Sequence, residues 1–151
     1  MENQVAKPPM ILIVERDPLM LTGISAILDM QGYRCFLARD IEIASQATDT
    51  LQFDLIVLSI EINLEAAMAG AKKLRASQRA IGLPIIFLAP RLDADWIGPL
   101  NSVGGVYCLP KPFEPEVLIE LVEKTLCMPH LATARVAPPK AHFSNTWVKL
   151  S

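Results

Sequence analysis

Residues 10–18 read Met-Ile-Leu-Ile-Val-Glu-Arg-Asp-Pro. Five apolar residues in an unbroken run suit a short strand buried on both faces, since a half-exposed strand would alternate. The run stops at three charged residues. Asp17 followed by Pro18 is then a helix start: the aspartate caps free N–H groups, and proline at the first helical position loses no hydrogen bond. Leu21, Ile24, Ile27 and Leu28 recur at helical spacing until Gly32. Buried strand, charged loop and amphipathic helix together make one βα unit.

The unit repeats along the chain. Residues 33–38 (Tyr-Arg-Cys-Phe-Leu-Ala) read as a second strand, and Asp40 caps a helix through about Leu51. Residues 53–58 (Phe-Asp-Leu-Ile-Val-Leu) are the clearest strand, followed by an Ala-rich helix over 64–79. Pro84 introduces a strand over 85–88. In 90–105, Asp93 caps a short helix that Gly98-Pro99 should end early, because proline disfavours α geometry in the residue before it. A fifth strand covers 106–109. A last helix, 114–127, places Val117, Leu118, Leu121, Val122 and Leu126 on one stripe. Five βα repeats with short connections predict one α/β domain, a parallel sheet with helices on both faces. The expected division is an extension over 1–9, a domain over 10–127 and an extended tail over 128–151. In that tail, Trp147, Val148 and Leu150 either dock on the domain or partner, or belong to a mobile terminus.

Composition narrows the function classes. An apolar fraction of 52% and a mean hydropathy of +0.34 fit a sheet covered on both faces. No apolar stretch approaches the ~20 residues that span a bilayer, and 1–9 lacks the apolar core of a signal peptide, so the expectation is a cytoplasmic protein with no membrane contact. Cys35, Cys108 and Cys127 form no C-x-x-C pair and read as reduced, packed thiols. His130 and His142 lack the spacing of a zinc site. All 16 acidic residues lie in 1–127 against 11 Lys and Arg, whereas 128–151 holds three basic residues and no acid. A weakly acidic body argues against nucleic acid as a partner, and no helix-turn-helix module follows residue 127. The first strand-to-helix turn has no G-x-G-x-x-G and no P-loop, so a nucleotide-binding doubly wound domain is disfavoured.

Three segments resemble the response-regulator receiver family, over roughly residues 9–127. Ile-Leu-Ile-Val-Glu-Arg-Asp-Pro (11–18) is similar to the first strand and its acidic loop. Phe-Asp-Leu-Ile-Val-Leu-Ser (53–59) is similar to the third strand and its terminal phosphoacceptor position. Leu-Pro-Lys-Pro-Phe-Glu-Pro-Glu (109–116) is similar to the fifth strand and the Lys-Pro-Phe motif before the last helix. The resemblance implies a flavodoxin-like (βα)5 fold with a doubly wound five-stranded sheet of order 2-1-3-4-5. It also implies a role in two-component signalling or a phosphorelay. Members of the family accept a phosphoryl group on an aspartate at the end of the third strand. Two acids after the first strand hold Mg²⁺, and a lysine after the fifth strand pairs with the phosphoryl oxygens.

Carried over by position, the resemblance puts Lys111 at the lysine position and Glu15 at the first acidic position, both serviceable. Arg16 stands at the second acidic position and Ser59 at the phosphoacceptor. Ala89 stands where a Ser or Thr usually senses the phosphoryl group, and Cys108 where an aromatic usually swings, with Tyr107 beside it on the opposite face of the strand. Asn63 replaces a proline common four residues past the acceptor. Serine carries no ionised oxygen near pH 7, and neither histidine lies where it would act as a base. Arg16 stays protonated and adds positive charge where a divalent cation would sit, a repulsion of about 1 to 4 kcal/mol at effective dielectrics of 80 to 20. Mg²⁺ binding is therefore expected to be weak or absent, with no other metal or cofactor and no catalysis.

The expectation is a degenerate, phosphorylation-independent receiver that works by binding a protein partner or a second copy of itself. Arg16 either bridges Glu15 and locks one conformation, or holds an anion together with Lys111, or is a solvated charge at a loop mouth. Trp96, Leu92 and Ile97, near Tyr107, either form an interaction face or cap the core under a short helix. The rival expectation is an atypical phosphotransfer protein whose acceptor is Asp17 or Asp54. Asp17 is needed as a helix cap, and Asp54 precedes its strand and belongs at the far end of the sheet.

Overall fold

The computed structural model describes residues 7–127, 142–143 and 147–150. The expected N-terminal extension therefore falls mostly outside the described residues, as do His130, Arg135, Pro138, Pro139 and Lys140 of the tail.

Five parallel strands, β1 (Met10–Val14), β2 (Arg34–Ala38), β3 (Leu55–Ser59), β4 (Ile85–Ala89) and β5 (Gly105–Pro110), alternate with five helices. These are α1 (Pro18–Asp29), α2 (Ile41–Thr50), α3 (Leu64–Arg75), α4 (Ile97–Ser102) and α5 (Pro115–Leu126). The sheet is ordered β2-β1-β3-β4-β5 and continues into two short C-terminal strands, β6 (His142–Phe143) and β7 (Val148–Lys149), with β7 next to β5. The fold is the expected flavodoxin-like α/β arrangement.

Period-two alternation sorts the apolar strand residues into two cores. Ile11, Ile13, Leu55 and Val57 face α1 and α5, where Leu21, Ile24, Leu28, Leu118, Leu121 and Val122 meet them. Leu12, Val14, Ile56 and Leu58 face the other layer, with Ala44 and Ala47 of α2, Ala67, Ala71 and Leu74 of α3, and Leu100 of α4. Small alanines on α2 and α3 let both helices sit close to the sheet. Gly70 does the same between the helices, since a Cβ there would stand 2.9 Å from Ile41 Cδ1.

The caps fall where local chemistry places them. Asp17 Oδ1 accepts from the Leu19 N–H at 3.1 Å, and Asp40 Oδ1 accepts from Ile43 at 2.9 Å. Asn63, at the position where the family commonly has proline, caps α3 by accepting from Ala66 at 2.8 Å.

Three expectations are corrected. The Ala-rich helix stops at Arg75 rather than running to residue 79, and Gln78–Ala80 form a separate 3₁₀ turn capped by Ser77. Gly98-Pro99 does not end a helix. Ala94–Trp96 form a 3₁₀ turn capped by Asp93, and α4 begins after it at Ile97, so Pro99 lies in the first helical turn, where its missing N–H breaks no bond. The sheet does not stop at five strands either. Tyr107 pairs with Lys149 and Cys108 with Val148 in an antiparallel ladder, and the Leu150 N–H donates to the Val106 carbonyl at 3.0 Å. Val148 and Leu150 are buried in the α2–α4 core, and Trp147 meets Tyr107 edge-on with centroids 5.4 Å apart. Residues 147–150 thus dock on the domain. Gly105 makes room for them: a Cβ there would stand 2.8 Å from Leu150 Cδ1 and 2.7 Å from the Leu100 carbonyl oxygen.

Candidate functional site

The register of β1 against β3 pairs Val14 with Leu58, so the next residues, Glu15 and Ser59, emerge side by side at the carboxyl end of the sheet. Both are buried, Glu15 with 1% of its surface exposed. Lys111 reaches them from the loop after β5, its own N–H donating to the Ala89 carbonyl at 2.8 Å.

The three side chains close on one another. Ser59 Oγ donates to Glu15 Oε1 at 2.5 Å, and Lys111 Nζ donates to the same oxygen at 2.8 Å. The Asp17 N–H donates to Glu15 Oε2 at 3.0 Å. Burial alone pushes the Glu15 carboxyl upward. The hydrogen bonds from Lys111, Ser59 and the Asp17 backbone outweigh it and hold the pKa down to about 2. Glu15 is therefore a fully ionised carboxylate at neutral pH.

Glu61, not singled out from the sequence, completes the cluster. Its Oε1 accepts from the Arg16 N–H at 3.2 Å. Burial, then its hydrogen bond with Glu15, raise its pKa. The available signal was an acid two residues past the acceptor position, in the loop that faces the acidic loop after β1.

The side chain of Arg16 is exposed and forms no ion pair among the described residues. Of the readings of Arg16, the solvated charge at the loop mouth is the one found; Lys111 pairs with Glu15, and Arg16 takes part through its backbone alone. A correction concerns the base: a carboxylate does lie against the Ser59 hydroxyl. With a pKa near 2, however, it is too weak a base to take a serine proton at neutral pH.

Ala89 is fully buried at the end of β4. Cys108 and Tyr107 point to opposite faces of β5, one into each core. Trp96 and Ile97 are half-buried and pack against the α2–α4 core, with the Arg91 guanidinium 5.5 Å from the Trp96 ring centroid. Asp54 lies at the opposite end of the sheet, where its Oδ2 accepts from the Met10 N–H at 2.8 Å.

Residues 11–123 match the family described as the response regulator receiver domain. The chain belongs to that family. It is 29% identical over 117 residues to a probable transcriptional regulator, ycf29, of Porphyra purpurea, covering 77% of this chain and 56% of that protein. It is 31% identical over 115 residues to protein PetR of Rhodobacter capsulatus, covering 76% of this chain and 47% of the relative. The chain thus spans about half the length of these curated relatives.

Among solved structures, a CheY-like receiver domain protein from Methanospirillum hungatei superimposes with a TM-score of 0.73 at 19% identity, covering 83% of this chain and 98% of that one. The receiver domain of a sensor histidine kinase from Pseudomonas aeruginosa, described with a magnesium ion coordinated in its active-site cleft, superimposes with a TM-score of 0.65 at 25% identity. That match covers 79% of this chain and 98% of the other. The fold and the place in two-component signalling follow from the family. No helix among the described residues is long and apolar enough to cross a membrane.

The magnesium ion that receivers use does not fit the residues present. Oε1 of Glu15 is occupied by Ser59 and Lys111, and its neighbours at the acid positions are an arginine and a serine. No group of three His, Cys, Asp or Glu side chains among the described residues could enclose a metal ion. Lys111, which would face a phosphoryl oxygen, is already paired with Glu15.

Proposed function

We propose that this chain is a phosphorylation-independent receiver, a pseudo-receiver that relays a two-component-type signal by protein–protein contact rather than by phosphotransfer. The observation that carries the reading is the closed Ser59–Glu15–Lys111 cluster. A phosphoryl group on Ser59 would place dianionic charge beside an ionised Glu15 with no divalent cation to offset it, and its counter-cation would first have to leave Glu15. Uncompensated charge of that kind is what phosphoryl-transfer sites are built to avoid.

The docking face in this reading lies around α4, through Trp96 and Ile97, and its occupant is a signalling protein or a second copy of the chain; Tyr107, expected beside them, is instead buried on the opposite face of the sheet against Trp147. β7 already covers the outer edge of β5, so the partner meets the helix side of this face and not a bare strand.

The test treats the protein with acetyl phosphate and Mg²⁺, and separately with beryllofluoride, following intact mass and Trp96 and Trp147 fluorescence. The expected result is no mass gain and no saturable, Mg²⁺-dependent change. The Arg16→Asp/Ser59→Asp variant, with two ligands restored, should gain Mg²⁺-dependent beryllofluoride binding. A phosphoryl adduct on the native chain would instead establish an atypical phosphotransfer protein.

A further inference from the structure

Beside the closed cluster lies a cleft of about 460 Å³, opening between the N-terminal turns of α2 and α3. Its floor is the carboxyl end of β1 and β3, which neighbour each other in the sheet although β2 lies between them in the chain. That is the switch point of a doubly wound sheet, where strand order reverses and a crevice is left that small ligands characteristically fill. The volume falls in the range of small-molecule pockets, about 300–1,000 Å³.

The walls are largely hydrocarbon: Val14, Leu58, Ile41 and Ala67, with Ile43 and Ile62 at the mouth. Ile62 is 73% exposed and Ile43 40% exposed, apolar surface that a bound hydrocarbon would cover. Three acids line the cleft and each is engaged. Glu15 is paired with Lys111, Asp40 accepts the Ile43 N–H, and Glu61 accepts the Arg16 N–H. Arg16 and Arg39 are the basic residues of the lining. Both are exposed, and neither side chain has an ion-pair partner among the described residues. Unpaired, planar, always-charged donors beside an apolar crevice match a carboxylate on a hydrocarbon body.

We infer that the α2–α3 cleft binds a small amphipathic carboxylate, its chain between Ile41, Ile43 and Ile62 and its carboxylate on Arg16 and Arg39. The inference rests on the reading that Ser59 stays unphosphorylated, because Glu15 and Ser59 also line the cleft; intact mass tests that reading separately.

The test is an amide-resolved NMR titration of the full chain at low ionic strength with octanoate, 1-octanol and octylammonium. Octanoate should give saturable shifts at Ile43, Ile62 and Ala66, binding about tenfold more tightly than octylammonium, a difference of about 1.4 kcal/mol. Ala66 is an exposed helix position lining the cleft, so Ala66→Phe fills the space without disturbing the core, and it should weaken octanoate and octanol alike by about tenfold. Arg16→Gln/Arg39→Gln should remove the preference for octanoate and leave octanol unchanged. Octylammonium binding as tightly as octanoate, shifts centred elsewhere, or indifference to Ala66→Phe would each overturn the inference. So would saturation of the cleft by a partner protein's side chain with no response to octanoate.

Discussion

At the carboxyl end of the sheet the chain buries charge; at the outer edge of β5 it buries hydrocarbon. Glu15, Ser59 and Lys111 occupy the first region, and Val148 and Leu150 under α4 occupy the second. The two differ in how their stability responds to loss of a part. Apolar burial stabilises by roughly 25 cal/mol per Å² wherever it occurs, so each buried methyl group at the β5 edge contributes nearly on its own. A buried carboxylate stabilises nothing alone. Its desolvation is offset only while every donor is present, and removing one leaves a charge stranded. The edge should therefore fail in proportion to what is removed, and the pocket out of proportion.

The largest effect is expected at the edge. Val148→Ala/Leu150→Ala should lower the urea unfolding free energy by about 4 kcal/mol, because both side chains are buried at 2% and 3% exposure. A loss under about 1 kcal/mol would mean that residues 147–150 merely rest on the sheet. Next comes Lys111→Met, expected to cost about 3 kcal/mol, the low end for breaking a buried pair because the Lys111 side chain keeps 21% exposure. Combining it with Glu15→Gln should restore more than half of that loss. Additive losses in the double variant would break the contrast between the two regions.

Acid sharpens the same contrast. Glu15 titrates near 2 in the folded chain against 4.5 ordinarily. A depressed carboxylate contributes stability that is complete above the ordinary value and lost as pH falls through the folded one. Unfolding free energy should drop by about 3 kcal/mol between pH 5 and pH 2 from this group alone. Glu61, shifted the other way, gains on acidification and blunts the drop. Glu15→Gln should flatten the profile, whereas the β5-edge variant should keep its slope. The smallest effect is Ser59→Ala, expected to cost about 1.5 kcal/mol, one hydrogen bond to a charged acceptor.

Local chemistry made much of this molecule legible in its sequence. Asp17-Pro18 and Asp40 cap the helices they were read to cap, since a cap depends on three neighbouring residues. The unbroken apolar runs at 10–14 and 55–58 became central strands, because burial on both faces leaves no alternation to misread. The placement of Pro99 was not legible. Whether proline ends a helix or begins one depends on where the preceding turn stops, and Trp96 and Ile97 packing on the core decides that. Nor was the pairing of Val148 with Cys108, forty residues earlier, which needed the open side of β5. In the pocket, position alone brought Glu15, Ser59 and Lys111 together. Which cation holds Glu15 was decided by reach: Lys111 comes across the end of the sheet, while the Arg16 side chain is exposed at the cleft.

Cys108 is the cross-strand neighbour of Val148 and shares its core with Trp96, Ile97 and Leu100, and burial pushes its thiol up to about 12. Thiolates, not thiols, attack disulfide reagents, so this sulfur is inert while α4 and the neighbouring strand stay seated. Cys127 is exposed and Cys35 is only half covered. The chain therefore carries its own clock: with Cys127 and Cys35 replaced by serine, the rate at which Cys108 consumes an aromatic disulfide counts how often the cover made by α4 and the last strand opens.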